Sequence, residues 1–261
     1  MFSPARLEQL KTKGARAALC TVVHTSGSTP RKAGAAMVVH WDESKVGKVE
    51  GTVGGGIFEH EVRRHAIRVL GEQSDSATTR LVEIALTTDL GMCCGGSMKV
   101  FIEPLETRPA AFVFGAGHVG KAVCRLACTM GFRVTLLDPR EELLSTSDLD
   151  DDVTMVNDYD VEDITSLSLD ENSYVLVVTH DHPTDQLLVE ELMRSSVRTL
   201  GMIGSMRKAA LTRDRCRAKG FSDAEVARLV SPVGLDIHAE TPEEIALSIV
   251  AQWVLLRRDL S

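Results

Sequence analysis

Ala111-Phe112-Val113-Phe114-Gly115-Ala116-Gly117-His118-Val119-Gly120 is the stretch on which the fold turns. A short apolar run ends in a GxGxxG glycine pattern that opens a segment with helical spacing, Val119–Met130. That context, strand then glycines then helix, is what gives the pattern meaning. The first glycine permits a tight turn, the second lets a phosphate approach the backbone, and the third lets helix and strand pack closely. Free N–H groups at the helix start then favour an anion. The next apolar run, Arg133–Leu137, ends at Asp138, where an acid in such folds usually holds a ribose diol. Gly115, Gly117, His118, Gly120 and Asp138 are therefore candidate nucleotide contacts, with NAD favoured over NADP by the acid.

Strands and helices keep alternating downstream, which predicts a parallel sheet with helices on both faces. A weak strand falls near Val153–Val156, then a strand at Tyr174–Thr179, a helix at Gln186–Arg194 and a strand at Val197–Ile203. The last helix is Pro242–Arg258, opened by Thr241 and Glu244 at capping-box spacing. His180 and His182 follow a strand on the edge where open α/β sheets bind ligands, so they are candidate contacts. Gly204 and Ser205 open a further helix and form a second candidate anion site, Ser205 as its cap.

Upstream the grammar changes. Residues 1–107 read as a smaller mixed α/β domain, joined near Pro104 and Pro109 to a Rossmann-like domain over 108–261. Strands are expected at Ala17–His24, Ala35–His40, Arg80–Leu86 and Met98–Ile102, and a helix at Phe58–Leu70. Three loops carry chemistry. Ser28 and Arg31 sit in a Ser/Gly/Thr-rich loop; Gly54, Gly55 and Gly56 precede the helix that bears Glu59; Cys94, Gly95 and Gly96 form the third. Side-chain-free backbone admits a bulky anion, and an arginine adds charge-assisted bonds to a phosphate. A plain tight turn at Gly54–Gly56 and a solvated Arg31 remain the structural alternatives. A thiolate at Cys94 suits a soft metal, whereas a small buried residue is the common fate of a free cysteine, expected for Cys20, Cys124, Cys128 and Cys216. His60 and His65 are five apart, about 140° around a helix, and so do not make a zinc pair.

Composition narrows the function. The chain has 261 residues, 44% hydrophobic and 25% charged, as expected of a globular protein. Its formal charge of −8 and 4% aromatic content argue against a nucleic-acid or membrane-surface partner. No long apolar run marks a signal or a span, and six cysteines in so long a chain read as reduced thiols, so a cytoplasmic location is expected.

Taken in order, His24–Arg31, Gly51–Gly56 with Glu59, Cys94–Gly96 with Ile102–Pro104, Gly115–Gly120, Thr179–His182, Gly201–Ser205, Ser231–Asp236 and Thr241–Ile245 resemble the XdhC/CoxI family of xanthine dehydrogenase accessory proteins. The resemblance covers nearly the whole length. It implies a protein that binds molybdenum cofactor, as the molybdopterin monophosphate or a dinucleotide form. It also implies help to a cysteine desulfurase in sulfurating that cofactor, and delivery to an apo molybdenum hydroxylase, with a homodimer as the expected assembly. Cys94 becomes a candidate molybdenum contact. The chain departs from the pattern at Ile57, where many relatives carry cysteine or another polar residue, so a thiol role is excluded there. Two rival readings are an NAD-dependent oxidoreductase built on Gly115–Gly120 and a scaffold that holds no cofactor.

Overall fold

A computed structural model describes residues 2–12, 16–41, 48–71, 79–86, 96–105, 108–144, 149, 152–159, 164, 167 and 169–258. The chain divides into two compact units, Met1–Arg108 with Leu260–Ser261, and Pro109–Asp259.

In the first unit, helix α1 (Pro4–Thr12) precedes strands β1 (Ala17–Ser26), β2 (Ala36–His40) and β3 (Val49–Gly51). Helix α2 (Gly56–Gly71) and strands β4 (Arg80–Ala85) and β5 (Ser97–Pro104) complete it. The strands form an antiparallel sheet in the order β3-β2-β1-β5-β4. Period-two burial decides which face is covered: Ala18, Cys20 and Val22 of β1 point the same way as Met98, Val100 and Ile102 of β5. Against them α2 lays Phe58, Val62, Ala66 and Val69, a helical stripe. Each large side chain so buried contributes about 1.5–3 kcal/mol relative to exposure. Between Val22 and His24 the register of β1 against β5 shifts, a bulge that re-aims the end of β1.

The second unit opens with β6 (Ala110–Phe114), α3 (His118–Thr129), β7 (Arg133–Leu137), α4 (Glu141–Leu144) and β8 (Thr154–Val156). It continues with β9 (Ser173–Val177), α5 (His182–Leu192), β10 (Thr199–Met202), α6 (Met206–Ala218), α7 (Asp223–Ala227), β11 (Leu229–Val230) and α8 (Pro242–Arg258). All ladders are parallel, in the order β8-β7-β6-β9-β10-β11. Counted from β6 this is 3-2-1-4-5-6, the doubly wound order, with its reversal between β6 and β9. Every residue of those two strands is buried, as strands covered on both faces must be. One face packs Val123, Cys124 and Ala127 of α3 with Trp253 of α8; the other packs Leu188, Val189 and Leu192 of α5 with Cys216 of α6. Phe132, Tyr174 and Trp253 form an aromatic triangle with centroids 5.2–5.8 Å apart.

The α/β class with a parallel Rossmann-like sheet is thus as the sequence predicts. α5 starts at His182, four residues ahead of the reading, because Asp181 caps it through the Thr184 N–H (3.0 Å) with Pro183 in its first turn. Among the described residues no helix is long and apolar enough to cross a membrane.

Candidate functional site

Each unit gathers candidate residues at one end of its sheet. In the first unit the loops leaving β1, entering α2 and entering β5 are stitched by glycine contacts. A Cβ on Gly96 would lie 2.4 Å from the Ser26 carbonyl oxygen and 2.5 Å from that of Ser28. One on Gly54 would lie 2.8 Å from Cγ of Pro30. No side chain fits at either point, so Ser28, Pro30, Gly54 and Gly96 share one neighbourhood. Gly55 and Gly56, at φ +74° and +61°, have no heavy atom within 4 Å of where a Cβ would stand. That combination, a left-handed backbone beside open space, leaves room next to Gly55 and Gly56 at the head of a 16-residue helix. Arg31 and Lys32 are exposed.

Glu59 laces this loop. Its Oε2 accepts from Thr52 Oγ1 (2.6 Å), Gly55 N (3.2 Å) and Val53 N (3.3 Å), while Thr52 Oγ1 accepts from Gly54 N (3.2 Å). Glu59→Ala leaves those donors without their acceptor and is expected to cost about 1–3 kcal/mol in urea unfolding. Glu59→Gln keeps an oxygen in place and is expected to lose less than half of that. Cys94 and Gly95, with Cys93, lie outside the described residues. Cys20, Cys124 and Cys216 are buried, and burial pushes the Cys20 thiol up to about 12, which suits core residues rather than nucleophiles.

In the second unit the glycine pattern divides its labour. A Cβ on Gly115 would lie 2.4 Å from the Val178 carbonyl oxygen, and one on Gly120 would lie 1.8 Å from that of Gly115. Both are packing requirements: Gly115 lets β6 meet the end of β9, and Gly120 lets α3 meet the turn. Gly117, by contrast, faces open space and precedes α3 with no side-chain cap. His118 beside it is exposed.

Asp138 is fully buried. Its Oδ2 accepts from Ala116 N (2.8 Å) and Arg140 Nη2 (2.7 Å), its Oδ1 from Arg140 N (3.0 Å) and Nε (2.8 Å). Four donors fill the four acceptor positions of a carboxylate, leaving none for a ribose hydroxyl. Burial alone would raise this carboxyl's pKa, but the Arg140 guanidinium and the two backbone N–H groups hold it below the ordinary range.

Past β9, His180 and His182 are both exposed, on either side of the capping Asp181. Beneath them Thr179 Oγ1 donates to Asp185 Oδ1 (2.7 Å), and Asp185 Oδ2 receives Lys208 Nζ. Lys208 also donates to the Ile203 carbonyl (3.0 Å). Its stem explains Gly204, since a Cβ there would sit 2.5 Å from Lys208 Cδ. Ser205 spends its hydroxyl capping α6 through Lys208 N (3.2 Å). Sequence reasoning did not single out the Asp185–Lys208 pair; the small Gly204 four residues before a lysine is its one trace. Among the described residues no three His, Cys, Asp or Glu side chains are placed to hold a metal ion.

Comparisons agree with this architecture. The family model described as the XdhC Rossmann domain matches residues 111–253, and that of the XdhC and CoxI family matches residues 10–83. YqeB of Escherichia coli, itself uncharacterized, is 31% identical over 243 residues, 93% of this chain and 44% of YqeB. A probable xanthine dehydrogenase subunit from Bacillus subtilis is 27% identical over 160 residues, 61% of this chain and 46% of that protein. The chain therefore spans less than half the length of these two relatives. PaoD of Escherichia coli, a molybdenum cofactor insertion chaperone, is 24% identical over 273 residues, covering 94% of this chain and 84% of PaoD. A crystal structure described as a xanthine dehydrogenase from Bacillus halodurans shares the fold, with a TM-score of 0.53 at 23% identity and coverage of 98% and 95%. With more than half of its length matched by one family model, in the order its motifs run, the chain belongs to the XdhC and CoxI family.

Proposed function

We propose that this chain is an accessory protein for a molybdenum hydroxylase of the xanthine dehydrogenase type. In this reading it binds molybdenum cofactor, supports its sulfuration by a cysteine desulfurase and hands it to the apoenzyme, working in the cytoplasm as a homodimer. Residues 1–107 supply the cradle and 108–261 a second, nucleotide-type unit.

One observation carries the reading. The backbone at Gly55 and Gly56, held by the Gly55 N–H to Glu59 bond and close to the Ser28–Pro30 loop, leaves open space for a bulky ligand without moving a side chain. The residues fit the cofactor: peptide N–H groups from Gly56 onward, beyond those that Thr52 and Glu59 take, meet its hydrogen-bonding edges, and exposed Arg31 and Lys32 meet its phosphate. When bound, the cofactor supplies the molybdenum centre whose terminal sulfido ligand the client requires. This chain's residues hold and orient it; Ser28 and Gly96 line the same neighbourhood, and Cys94 is the proposed molybdenum contact. PaoD, a cofactor insertion chaperone by name, supports the carrier role. The oxidoreductase alternative needs a ribose acceptor beside the glycine loop, and the filled oxygens of Asp138 weigh against it.

Metal and pterin analysis of the protein from a molybdenum-replete, cofactor-synthesising host tests the proposal. Near-stoichiometric molybdenum and pterin are expected, falling at least tenfold in Gly56→Val. Absence of both, together with tight NADH binding, sinks the carrier and favours the oxidoreductase.

A further inference from the structure

We infer that the second unit takes its ligand through a phosphomonoester read by Arg140, with Asp138 as the residue that positions Arg140 rather than a receptor for a ribose diol. This rests on that part of the functional reading which has the Gly115–Gly120 loop face a ligand.

Asp138 spends all four acceptor positions inside the protein, so a sugar hydroxyl arriving at the end of β7 finds no oxygen to receive it. Arg140 is in the opposite state. A guanidinium has five N–H groups, and two of them, on Nε and Nη2, go to Asp138. The remaining three have no hydrogen-bond partner among the described residues, although the Glu142 carboxylate and Tyr159 are electrostatic neighbours, and the side chain is 33% exposed. Asp138 thus grips one edge of the fork and turns the other edge outward. That geometry offers parallel N–H donors to a tetrahedral anion, which is what a phosphomonoester presents.

Arg140 is also tied to the glycine loop, because the Oδ2 that accepts its Nη2 accepts Ala116 N as well. Two hydrogen bonds therefore connect the fork to the turn at the carboxyl end of β6, where Gly117 is open and α3 begins uncapped. In dinucleotide folds an arginine in this region accommodates a 2′-phosphate where an acid would hold the diol. Asp-Pro-Arg, read as a string, suggests the acid as the reader; folded, it makes the arginine the reader.

Two sources carry such a group, a phosphorylated ribose and a pterin phosphate. For the first, NADPH and NADH are titrated against the full chain, following nicotinamide fluorescence. NADPH is expected to bind at least tenfold more tightly than NADH. Arg140→Gln leaves buried Asp138 without its cation, so its folding is checked first by circular dichroism and Arg140→Lys, which keeps a cation there but not the fork, is run beside it; in both folded variants the ratio is expected to fall to near one. Asp138→Asn, if it folds, is expected to shrink the ratio rather than weaken both probes equally, which a merely structural role would do. For the second source, the pterin retained by protein from a molybdenum-replete host is analysed as phosphomonoester or dinucleotide. If neither nicotinamide binds, retention of the phosphomonoester, mostly lost in Arg140→Gln, also supports the inference and assigns the phosphate to the pterin.

NADH binding as tightly as NADPH overturns the inference. So does any ligand whose retention is indifferent to Arg140→Gln, and so does the absence of every probe. Failure of the accessory reading looks different: molybdenum and pterin are absent while the NADPH preference stands.

Discussion

Lys208→Met is expected to destabilise the protein by about 3–5 kcal/mol, the usual cost of stranding one member of a buried ion pair. Asp185 is 1% exposed and the Lys208 side chain 15%, so removing the ammonium leaves a carboxylate in the interior with, among the described residues, only Thr179 to satisfy it. Thermal unfolding should shift down by roughly 10 °C for a unit of this size. The double variant Lys208→Met with Asp185→Asn should recover most of the loss, because no net charge then remains buried. A double variant as unstable as the sum of both singles would show that packing of the lysine stem, not charge, is what matters.

Gly120→Ala is expected to be nearly as severe, about 3 kcal/mol or more, read as the midpoint of a urea transition. A methyl group placed 1.8 Å from the Gly115 carbonyl oxygen has only backbone to push against. Either α3 slides off β6 or the turn opens, and both separate elements whose apolar faces form one core. Gly117→Ala is the internal control. Its Cβ enters open space, so stability should change by less than about 1 kcal/mol while any ligand approaching that backbone is obstructed. Equal destabilisation by the two alanines would refute the division of labour among these glycines.

The second unit was the more legible from sequence, and for a physical reason. Buried parallel strands are continuous apolar runs, and most are followed by their own helix, so neighbours in sequence are mostly neighbours in space. Arg133–Leu137 and Pro242–Arg258 fall where the pattern puts them. The first unit obeys no such local rule. Its order places β1 between β2 and β5, and the partner of Ser26 is Ser97, a pairing no short window of sequence contains. α1 escaped notice because Pro4–Thr12 is mostly polar, and β3 because three residues carry no periodicity.

The candidate site was legible as residues but not as roles. Gly54, Gly55, Gly56, Gly96 and Glu59 were picked out singly by composition, whereas the contact of Gly54 with Pro30 and of Gly96 with Ser26 exists only in the folded chain. Asp138 shows the limit most clearly. Its position at a strand end marks it as a ligand group, but Arg140, two residues on, occupies it. A motif specifies where an acid stands and says nothing of what else reaches it.

The interleaved order of the first sheet has a consequence for the timing of assembly. Segments near residues 26, 54 and 96 meet only after the chain has closed its widest loop, the entropically slow step in such topologies. On the carrier reading proposed above, a polypeptide that ends before β5 therefore offers no seat, and loading waits until the first unit has closed.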